Sequence, residues 1–157
     1  MIYVGIDPGL SGAVAFIYTD GTVSVHDTPV IKVEKNGKNR NVYIAAAMQD
    51  LLKKHWDKSH VALELVGPMP GNGAAAMFSM GHGLGLWEGL IVATGIPLTY
   101  VRPQAWKKMF GLDRDKNKSI LKAKQLFPTA DITLKKHDGR AEALLMAEYL
   151  RRTLHSS

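Results

Sequence analysis

Four acidic side chains occupy positions that solvation does not explain. Asp7 follows an apolar run of strand type and precedes a Pro-Gly turn, and Glu64 lies inside a second apolar run. Asp138 and Glu142 stand four residues apart at the start of the last helical stretch, so they share one helix face. Carboxylates suit hard cations such as Mg²⁺ or Mn²⁺. Two such ions can activate a water and stabilise the leaving oxygen of a phosphodiester, which predicts metal-dependent phosphodiester hydrolysis.

Each acid also has a purely structural explanation that the sequence leaves open. Asp7 can cap the turn that follows it through its own backbone. Glu64 can pair with a lysine at a sheet edge, and Glu142 can be solvated. Asp138 can cap the last helix beside His137. A metal site would explain all four acids at once, whereas the structural alternatives require a separate explanation for each acid.

The positive charge of the chain is concentrated in one window. The formal net charge is +6 at pH 7. Between residues 102 and 125, eight basic residues stand against two acidic ones, so this window alone accounts for 8 − 2 = +6. Such a basic segment favours nucleic acid as the partner, and the alternative is a solvated, lysine-rich helix face. The basic residues are Arg102, Lys107, Lys108, Arg114, Lys116, Lys118, Lys122 and Lys124.

Length and composition predict one globular domain. The chain has 157 residues, of which 46% are hydrophobic and 22% are charged, enough for a sizeable core. It contains no cysteine, which excludes disulfides and thiolate metal sites. We expect neither a signal peptide nor a membrane span, because no basic leader precedes the first strand and the apolar stretches are interrupted. The expected location is therefore cytoplasmic.

The elements that must position the acids alternate along the chain. We predict strands at 2–6, 13–18, 22–29, 61–66 and 98–102, and helices at 42–56, 74–94, 103–110, 116–127 and 137–154. The basic segment 31–41 is interpreted as a mobile loop, with Asn41 capping the first helix. The order of elements predicts an α/β fold in which a five-stranded mixed sheet, three antiparallel strands and then two parallel ones, is flanked by helices.

These motifs resemble the RuvC-type Holliday junction resolvases, and among them the phage-encoded branch. The resemblance rests on IDPGLSGAVAF, LELV, MGHGLGLWEGLI, YVRPQAWKK and HDGRAEAL, which occur in this order along nearly the whole chain. It implies an RNase H-like fold, a homodimer, and Mg²⁺-dependent nicking of two opposed strands at a four-way DNA junction. For a phage protein, it also implies the host cytoplasm as location.

The resemblance assigns roles to particular residues by motif position. It implies that the catalytic and metal-binding acids are Asp7, Glu64, Asp138 and Glu142. It also implies basic residues that meet DNA near the scissile phosphate. We predict the DNA contacts to be Lys107, Lys108, Lys118, Lys116, Arg114 and Met69.

The closing acids depart from the bacterial pattern, which has two acids three residues apart. Here Gly139 stands three residues before Glu142, and Asp138 stands four before it. Which of these acids, or His137, would bind which metal ion therefore stays open.

A second departure lies after the strand glutamate, where the bacterial pattern carries an aromatic wedge three residues on. This chain has Gly67 there, and candidates to replace the wedge are Met69, Met77 and Phe78. Stacking on an aromatic side chain recovers part of the cost of unstacking a base. Without it, we predict a structure-selective but only weakly sequence-selective enzyme.

The helix predicted at 74–94 is the candidate dimer interface. Its glycines would let a second helix approach closely, and it carries Leu84, Leu86 and Trp87. The alternative is burial of this helix in the core of its own domain.

Three other functions fit parts of the sequence. The turn DPGLSG resembles a phosphate loop of the actin and sugar-kinase superfamily, but such a kinase needs two domains and 157 residues hold one. A junction-binding protein without nuclease activity would explain the basic segment but not the four acids. A general flap or branch nuclease of the same fold would keep the metal chemistry and change only the substrate.

Overall fold

A five-stranded mixed sheet forms the centre of the molecule, a computed structural model that describes residues 1–157. The strands of the chain are β1 (Ile2–Asp7), β2 (Ala13–Ile17), β3 (Val23–Asp27), β4 (Val30–Lys35), β5 (Lys38–Tyr43), β6 (Ser59–Glu64) and β7 (Leu98–Val101). The central sheet has the order β3-β2-β1-β6-β7. Strands β1 to β3 pair antiparallel, whereas β6 and β7 run parallel to β1. The predicted fold class is confirmed.

Helices cover both faces of this sheet. They are α1 (Ala45–Lys53), α2 (Ala74–Thr94), α3 (Pro103–Met109), α4 (Lys116–Leu126) and α5 (Asp138–His155), with short 3₁₀ turns at Trp56–Lys58 and Lys135–His137. One core lies between the sheet and α3, α4 and α5, and a second lies between the sheet and α1 and α2. None of these helices combines the length and the apolar character needed to cross a membrane.

Helix α5 packs directly onto β1 through a glycine. A Cβ placed on Gly5 would lie 1.9 Å from the carbonyl oxygen of Ala143 and 2.6 Å from the amide nitrogen of Ala147. No larger residue fits there without pushing the helix away from the strand. Because side chains alternate along a strand, Asp7 shares the face of Gly5 and points toward α5, while Ile6 points into the opposite core.

The segment predicted as a mobile loop is an antiparallel hairpin formed by β4 and β5, so that prediction is wrong. Asn36 and Gly37 join the strands, both with positive φ (55° and 72°), as a two-residue hairpin turn of this handedness requires. The turn signal was present in the sequence. The charged residues on both strands made the alternation of apolar and polar side chains around this turn hard to recognise.

The start of the first helix also differs from the prediction. Asn41 lies within β5 and pairs with Lys32, so it cannot cap a helix. Helix α1 begins at Ala45 and follows Ile44, which provides no side-chain cap. Val42 and Tyr43, which were predicted to lie in the first turn of this helix, therefore belong to β5.

Helix α2 has the predicted bounds but buries residues expected at a dimer interface. Trp87 is fully buried in the core that also contains Met48 of α1, and Leu84 and Leu86 are partly buried against that same core. The prediction that Trp87 forms a dimer interface is therefore wrong. The exposed side of α2 carries Phe78 instead.

Candidate active site

Two of the predicted acids lie side by side at one edge of the sheet. Asp7 is the last residue of β1, and Glu64 is the last residue of the parallel neighbour β6. The pairing of Ile6 with Leu63 brings the two acids to adjacent positions in the register. Strand β1 ends there because Pro8 and Gly9 follow, whereas β6 is followed by Leu65 and Val66 before the loop begins. Alternation directs both acidic side chains toward the α5 face.

The other two predicted acids lie on the first turns of α5. Asp138 begins the helix, and Glu142, which is only 4% exposed, follows one turn later. The helix start approaches the turn between β1 and β2 closely, since a Cβ on Gly139 would lie 2.6 Å from the carbonyl oxygen of Ser11. A glycine at this position therefore helps to bring the helix acids to the sheet edge.

A lysine lies among these carboxylates. Nζ of Lys116 is 2.5 Å from Oε1 of Glu142 and 3.8 Å from Oδ2 of Asp138. Lys116 is the first residue of α4, whose N-terminus is capped by Asp115 accepting a hydrogen bond from the amide of Asn117. The cap orients the first turn of α4 and so directs the Lys116 side chain toward α5.

The carboxylates disfavour one another's ionisation. Burial, followed by repulsion from Glu142, Glu64 and Asp138, raises the pKa of Asp7 well above its usual range, although the Lys116 charge opposes this. Burial also raises the pKa of Glu64, against a hydrogen bond that favours its charged form. Burial lowers the pKa of Lys116, but the hydrogen bond and charge of Glu142 outweigh it and the net shift is upward. Lys116 is therefore held in its charged form, but its single charge does not offset the burial and repulsion that raise the pKa of Asp7.

Trp106, which the sequence did not single out, holds Glu64 in place. The indole Nε1 of Trp106 donates a hydrogen bond to Oε2 of Glu64 at 2.7 Å, and both side chains are buried. Trp106 belongs to α3, which starts at Pro103 directly after β7. The segment YVRPQAWKK was visible in the sequence, but nothing in its spacing indicated which carboxylate the tryptophan would contact.

The donor chemistry of this cluster suits a hard divalent cation. Four carboxylates act on one another here, and the ammonium group of Lys116 occupies the place of a cation between two of them. With the side chains as they lie, no three of the Asp, Glu and His side chains are arranged to hold a metal ion. Metal binding at this cluster therefore requires side-chain rearrangement, and withdrawal of Lys116 from Glu142 is the rearrangement that the contacts indicate.

His137 has a structural role. The ring is buried, and its Nδ1 accepts hydrogen bonds from the amides of Thr133 and Leu134 at 3.2 and 3.3 Å. These contacts cap the 3₁₀ turn that leads into α5. Nδ1 is thereby occupied by backbone donors.

The residues predicted to contact DNA lie on α3, α4 and two loops. Lys118 is exposed and forms a 2.5 Å salt bridge with Asp113, whereas Lys116 is the lysine that contacts the carboxylate cluster. Nζ of Lys107 lies 5.4 Å from the Trp106 ring centroid. The remaining predicted contacts are exposed, namely Lys108 on α3, Arg114 before α4, and Met69 after β6.

Arg140, to which the sequence assigned no role, ties α5 to the sheet. Nε and Nη2 of Arg140 donate to the two carboxylate oxygens of Asp27 at 2.7 and 2.9 Å, and Nη1 donates to Asp131 at 2.9 Å. Hydrogen bonding to Arg140 lowers the pKa of Asp27 despite partial burial. Because Arg140 lies between Asp138 and Glu142, this fork fixes the turn that carries both helix acids.

The structure is similar throughout its length to that of RuvC. The Thermus thermophilus RuvC structure aligns with a TM-score of 0.59 and 19% identity, covering 98% of this chain and 97% of that one. The structure of T. thermophilus RuvC in complex with Holliday junction substrate aligns with a TM-score of 0.62 and 13% identity, covering 98% and 96% of the two chains. The chain therefore has the RNase H-like fold of the RuvC nucleases.

Part of the chain is also similar in sequence to a curated protein. The chain is 34% identical over 85 residues to the chloroplastic Holliday junction resolvase MOC1 of Chlamydomonas reinhardtii, a match that covers 52% of this chain. The matched region spans a tenth of the length of that relative. No protein-family model matches the chain.

Proposed function

We propose that this chain is a metal-dependent endodeoxyribonuclease that resolves four-way DNA junctions. The observation that carries the proposal is the cluster of two strand-end carboxylates, Asp7 and Glu64, facing two carboxylates of α5. Two similarities support the substrate. A sequence relative is a Holliday junction resolvase, and a protein of the same fold has been solved with a Holliday junction.

The proposed chemistry is hydrolysis of a phosphodiester. When bound, Mg²⁺ or Mn²⁺ would supply a polarised phosphate and an activated water. Asp7 and Glu64 would hold the metal from the strand side, and Asp138 and Glu142 from the helix side. Trp106 keeps Glu64 oriented through its hydrogen bond. Lys116 neutralises Glu142 in the metal-free site, and once released from Glu142 it could face a phosphate oxygen.

The DNA would approach over α3 and α4. Helix α3 follows β7, whose last residue Val101 pairs with Glu64, and α4 begins with Lys116 at the carboxylates. The exposed basic side chains of both helices can bind phosphates on either side of the cut. We assign this role to the residues already predicted, Lys107, Lys108, Arg114, Lys116 and Lys118, with Met69 touching a base at the exchange point.

Symmetric nicking of a junction requires two active sites, so we propose a homodimer. The outer side of α2 supports this, because Gly81, Gly85 and Gly89 recur every four residues and nothing lies within 4 Å of a Cβ placed on any of them. Sedimentation of the wild type and of Gly85→Leu tests this assignment. We expect a dimer at micromolar concentration for the wild type and a monomer for the variant, and a monomeric wild type contradicts the proposal.

Residues 1–157 would act as a single nuclease domain, since both cores share one sheet. The resemblance of DGRAEAL to phage-encoded resolvases leads us to propose a phage origin, with action in the host cytoplasm.

Incubation with synthetic DNA tests the function. The substrates are a four-way junction, a flap and a linear duplex of matched sequence, each with Mg²⁺ or with a chelator, and ATP hydrolysis is measured in parallel. We expect paired nicks in opposed strands of the junction, only with the metal, and no ATP hydrolysis. The control is Asp7→Asn, which should bind the junction without cutting it.

The same experiment separates the competing functions. Equal cutting of flap and junction would indicate a general branch nuclease. Tight junction binding without cutting in either metal would indicate a binding protein, and ATP turnover would indicate a phosphotransferase.

A further inference from the structure

The hairpin of β4 and β5 has two chemically different faces. Residues opposite each other in an antiparallel pair share a face, and faces alternate along each strand. One face, here called the outer face, carries exposed apolar side chains near its base and three cations toward its tip. The outer face consists of Ile31, Val33, Lys35, Lys38, Arg40 and Val42.

The opposite face packs on the body of the protein at its base. Tyr43 is buried, and its hydroxyl donates a hydrogen bond to the carbonyl of Ser79 on α2 at 2.9 Å. Beyond this anchor, the inner face carries Lys32, Glu34 and two asparagines, so its charges cancel. All the positive excess of the hairpin therefore lies on the outer face.

Apart from Val42 at its base, which is partly buried, the outer face is not covered by this chain. Ile31 is 55% exposed and Val33 is 40% exposed, and the cations Lys35, Lys38 and Arg40 are exposed as well. None of these cations forms a salt bridge, whereas Lys118 on α4 does. Two β-branched side chains exposed beside three unpaired cations are typical of a surface that binds a polyanion with an apolar part.

The root of the hairpin lies at the same sheet edge as the candidate active site. Asp7 pairs with Ala13, and Ala13 pairs with Asp27, so these three residues form one row across β1, β2 and β3. The hairpin begins three residues after Asp27. Two strand spacings separate Asp27 from Asp7 by about 10 Å, and three further residues place the hairpin root within about 20 Å of Asp7. Six-residue strands give the hairpin a length of about 20 Å.

We infer that the outer face of the hairpin binds a duplex arm of the DNA, outside the exchange point. Lys35, Lys38 and Arg40 contact phosphates, while Ile31 and Val33 pack against the sugars between them. A two-stranded ribbon has the dimensions to follow a groove of duplex DNA. This inference rests on the proposed function, because it gives the nuclease a DNA contact separate from α3 and α4.

The salt dependence of junction binding tests the inference with a matched control. Affinity of a labelled four-way junction is measured by anisotropy in a chelator, so that no cutting occurs, between 50 and 200 mM salt. Lys38→Gln and Arg40→Gln should each make the log–log slope shallower by about 0.9, the contribution of one phosphate contact. Lys32→Gln removes the same charge from the inner face and should leave the slope unchanged.

Alkylation of single thiols provides a second measurement that does not depend on charge. The chain has no cysteine, so Val33→Cys and Glu34→Cys each introduce one thiol on adjacent residues of opposite faces. Junction DNA at saturating concentration should slow alkylation at position 33 by about tenfold. This is the reduction expected when the thiol is protected in about nine-tenths of the protein molecules. The rate at position 34 should change much less.

The outcomes distinguish the two proposals. Equal slopes for Arg40→Gln, Lys38→Gln and the wild type, with no protection at position 33, overturn the hairpin contact while junction cutting by the wild type keeps the nuclease proposal. Equal effects of Lys32→Gln and Arg40→Gln overturn it too, since only overall charge would then matter. A wild type that neither binds nor cuts the junction overturns both proposals.

Discussion

The ammonium group of Lys116 lies 2.5 Å from the carboxylate of Glu142, at the centre of a cluster of acids. A charge-assisted hydrogen bond at this distance neutralises a side chain that is itself buried. The lysine is thus an internal cation for a site whose chemistry favours a divalent one. In the proposed nuclease, metal binding would therefore be coupled to the withdrawal of this lysine.

Removal of this internal cation should strengthen metal binding. We expect Lys116→Met to bind Mn²⁺ about tenfold more tightly than the wild type in the absence of DNA, because the metal no longer competes with a hydrogen-bonded ammonium group. Titration calorimetry measures this, and Lys118→Met, which loses only an exposed pair with Asp113, is the control. Weaker binding by Lys116→Met would show that the lysine does not compete with the metal.

Loss of either strand acid should abolish cutting while junction binding persists. Asp7→Asn and Glu64→Gln each remove a charge but little volume, so the candidate metal site loses a ligand and the DNA-binding surface is unchanged. Single-turnover cleavage and anisotropy on the same junction separate the two effects. Either variant retaining more than about a tenth of the wild-type rate, a difference of about 1.4 kcal/mol in barrier, would contradict its ligand role.

The same change at Asp7 should stabilise the metal-free protein. Because burial and neighbouring acids raise the pKa of Asp7, its contribution to stability is present at low pH and is lost as pH rises through the raised pKa. Asp7→Asn should therefore raise the Tm in a chelator at neutral pH, by about 2–4 °C for each kcal/mol gained. The gain should shrink as the pH falls.

A suitable comparison for this measurement is Asp20→Asn. Hydrogen bonds from the side chain and backbone of Thr22 lower the pKa of Asp20, so its charged form favours the folded state. This variant should not raise the Tm at neutral pH. An increase equal to that of Asp7→Asn would mean that the effect comes from net charge rather than from the buried cluster.

The tryptophan that donates to Glu64 should tune the pH dependence of cutting. Trp106→Phe keeps an aromatic ring in the core but removes the donor, and this hydrogen bond lowers the pKa of Glu64 against the effect of burial. We expect the acidic limb of the cleavage profile to move to higher pH, with the rate at the optimum reduced by about tenfold, as for one lost hydrogen bond to a charged group. A lower rate with an unmoved limb would indicate a packing effect alone.

Cutting should depend only weakly on the bases at the exchange point. A Cβ placed on Gly67 would meet nothing within 4 Å, and this glycine borders a shallow cavity of about 220 Å³ whose lining includes Pro68 and Met77. Such a surface makes apolar contact with a base but offers no stacking platform. Junctions of unrelated core sequence should be cut at rates within about tenfold of one another. One tetranucleotide cut a hundredfold faster on a mobile-core junction would contradict this, and Phe78 would then be the first residue to test.

The sheet and the candidate acids were accessible from the sequence because their signals are local. Asp7 ends an apolar strand at a Pro-Gly turn, and the four-residue spacing of Asp138 and Glu142 puts both on one helix face. The convergence of these elements follows from the mixed order of strands and helices. Their assignment to a metal site came from the chemistry of the carboxylates and from the family resemblance, and it stays a prediction.

The features that the sequence did not predict depend on contacts between distant segments. The bond from Trp106 to Glu64 joins residues 42 positions apart, and the fork of Arg140 on Asp27 joins residues 113 apart. No periodicity within one element encodes such pairs. The hairpin was missed for a different reason. A strand is recognised in sequence by alternating apolar residues, and β4 and β5 carry too many charged and polar residues for that pattern to stand out.

The contact of Gly5 with the backbone of α5 links the packing of the core to the geometry of the candidate site, because α5 also carries two of the acids. Because the two main chains touch at Gly5, the distance between the backbone of Asp7 and that of the helix acids depends on this contact. Substitutions in the core beneath α5, far from any carboxylate, would therefore change the span between the acids. Selection for close packing at that contact and selection for the proposed catalysis would therefore act on the same residues, beginning with Gly5.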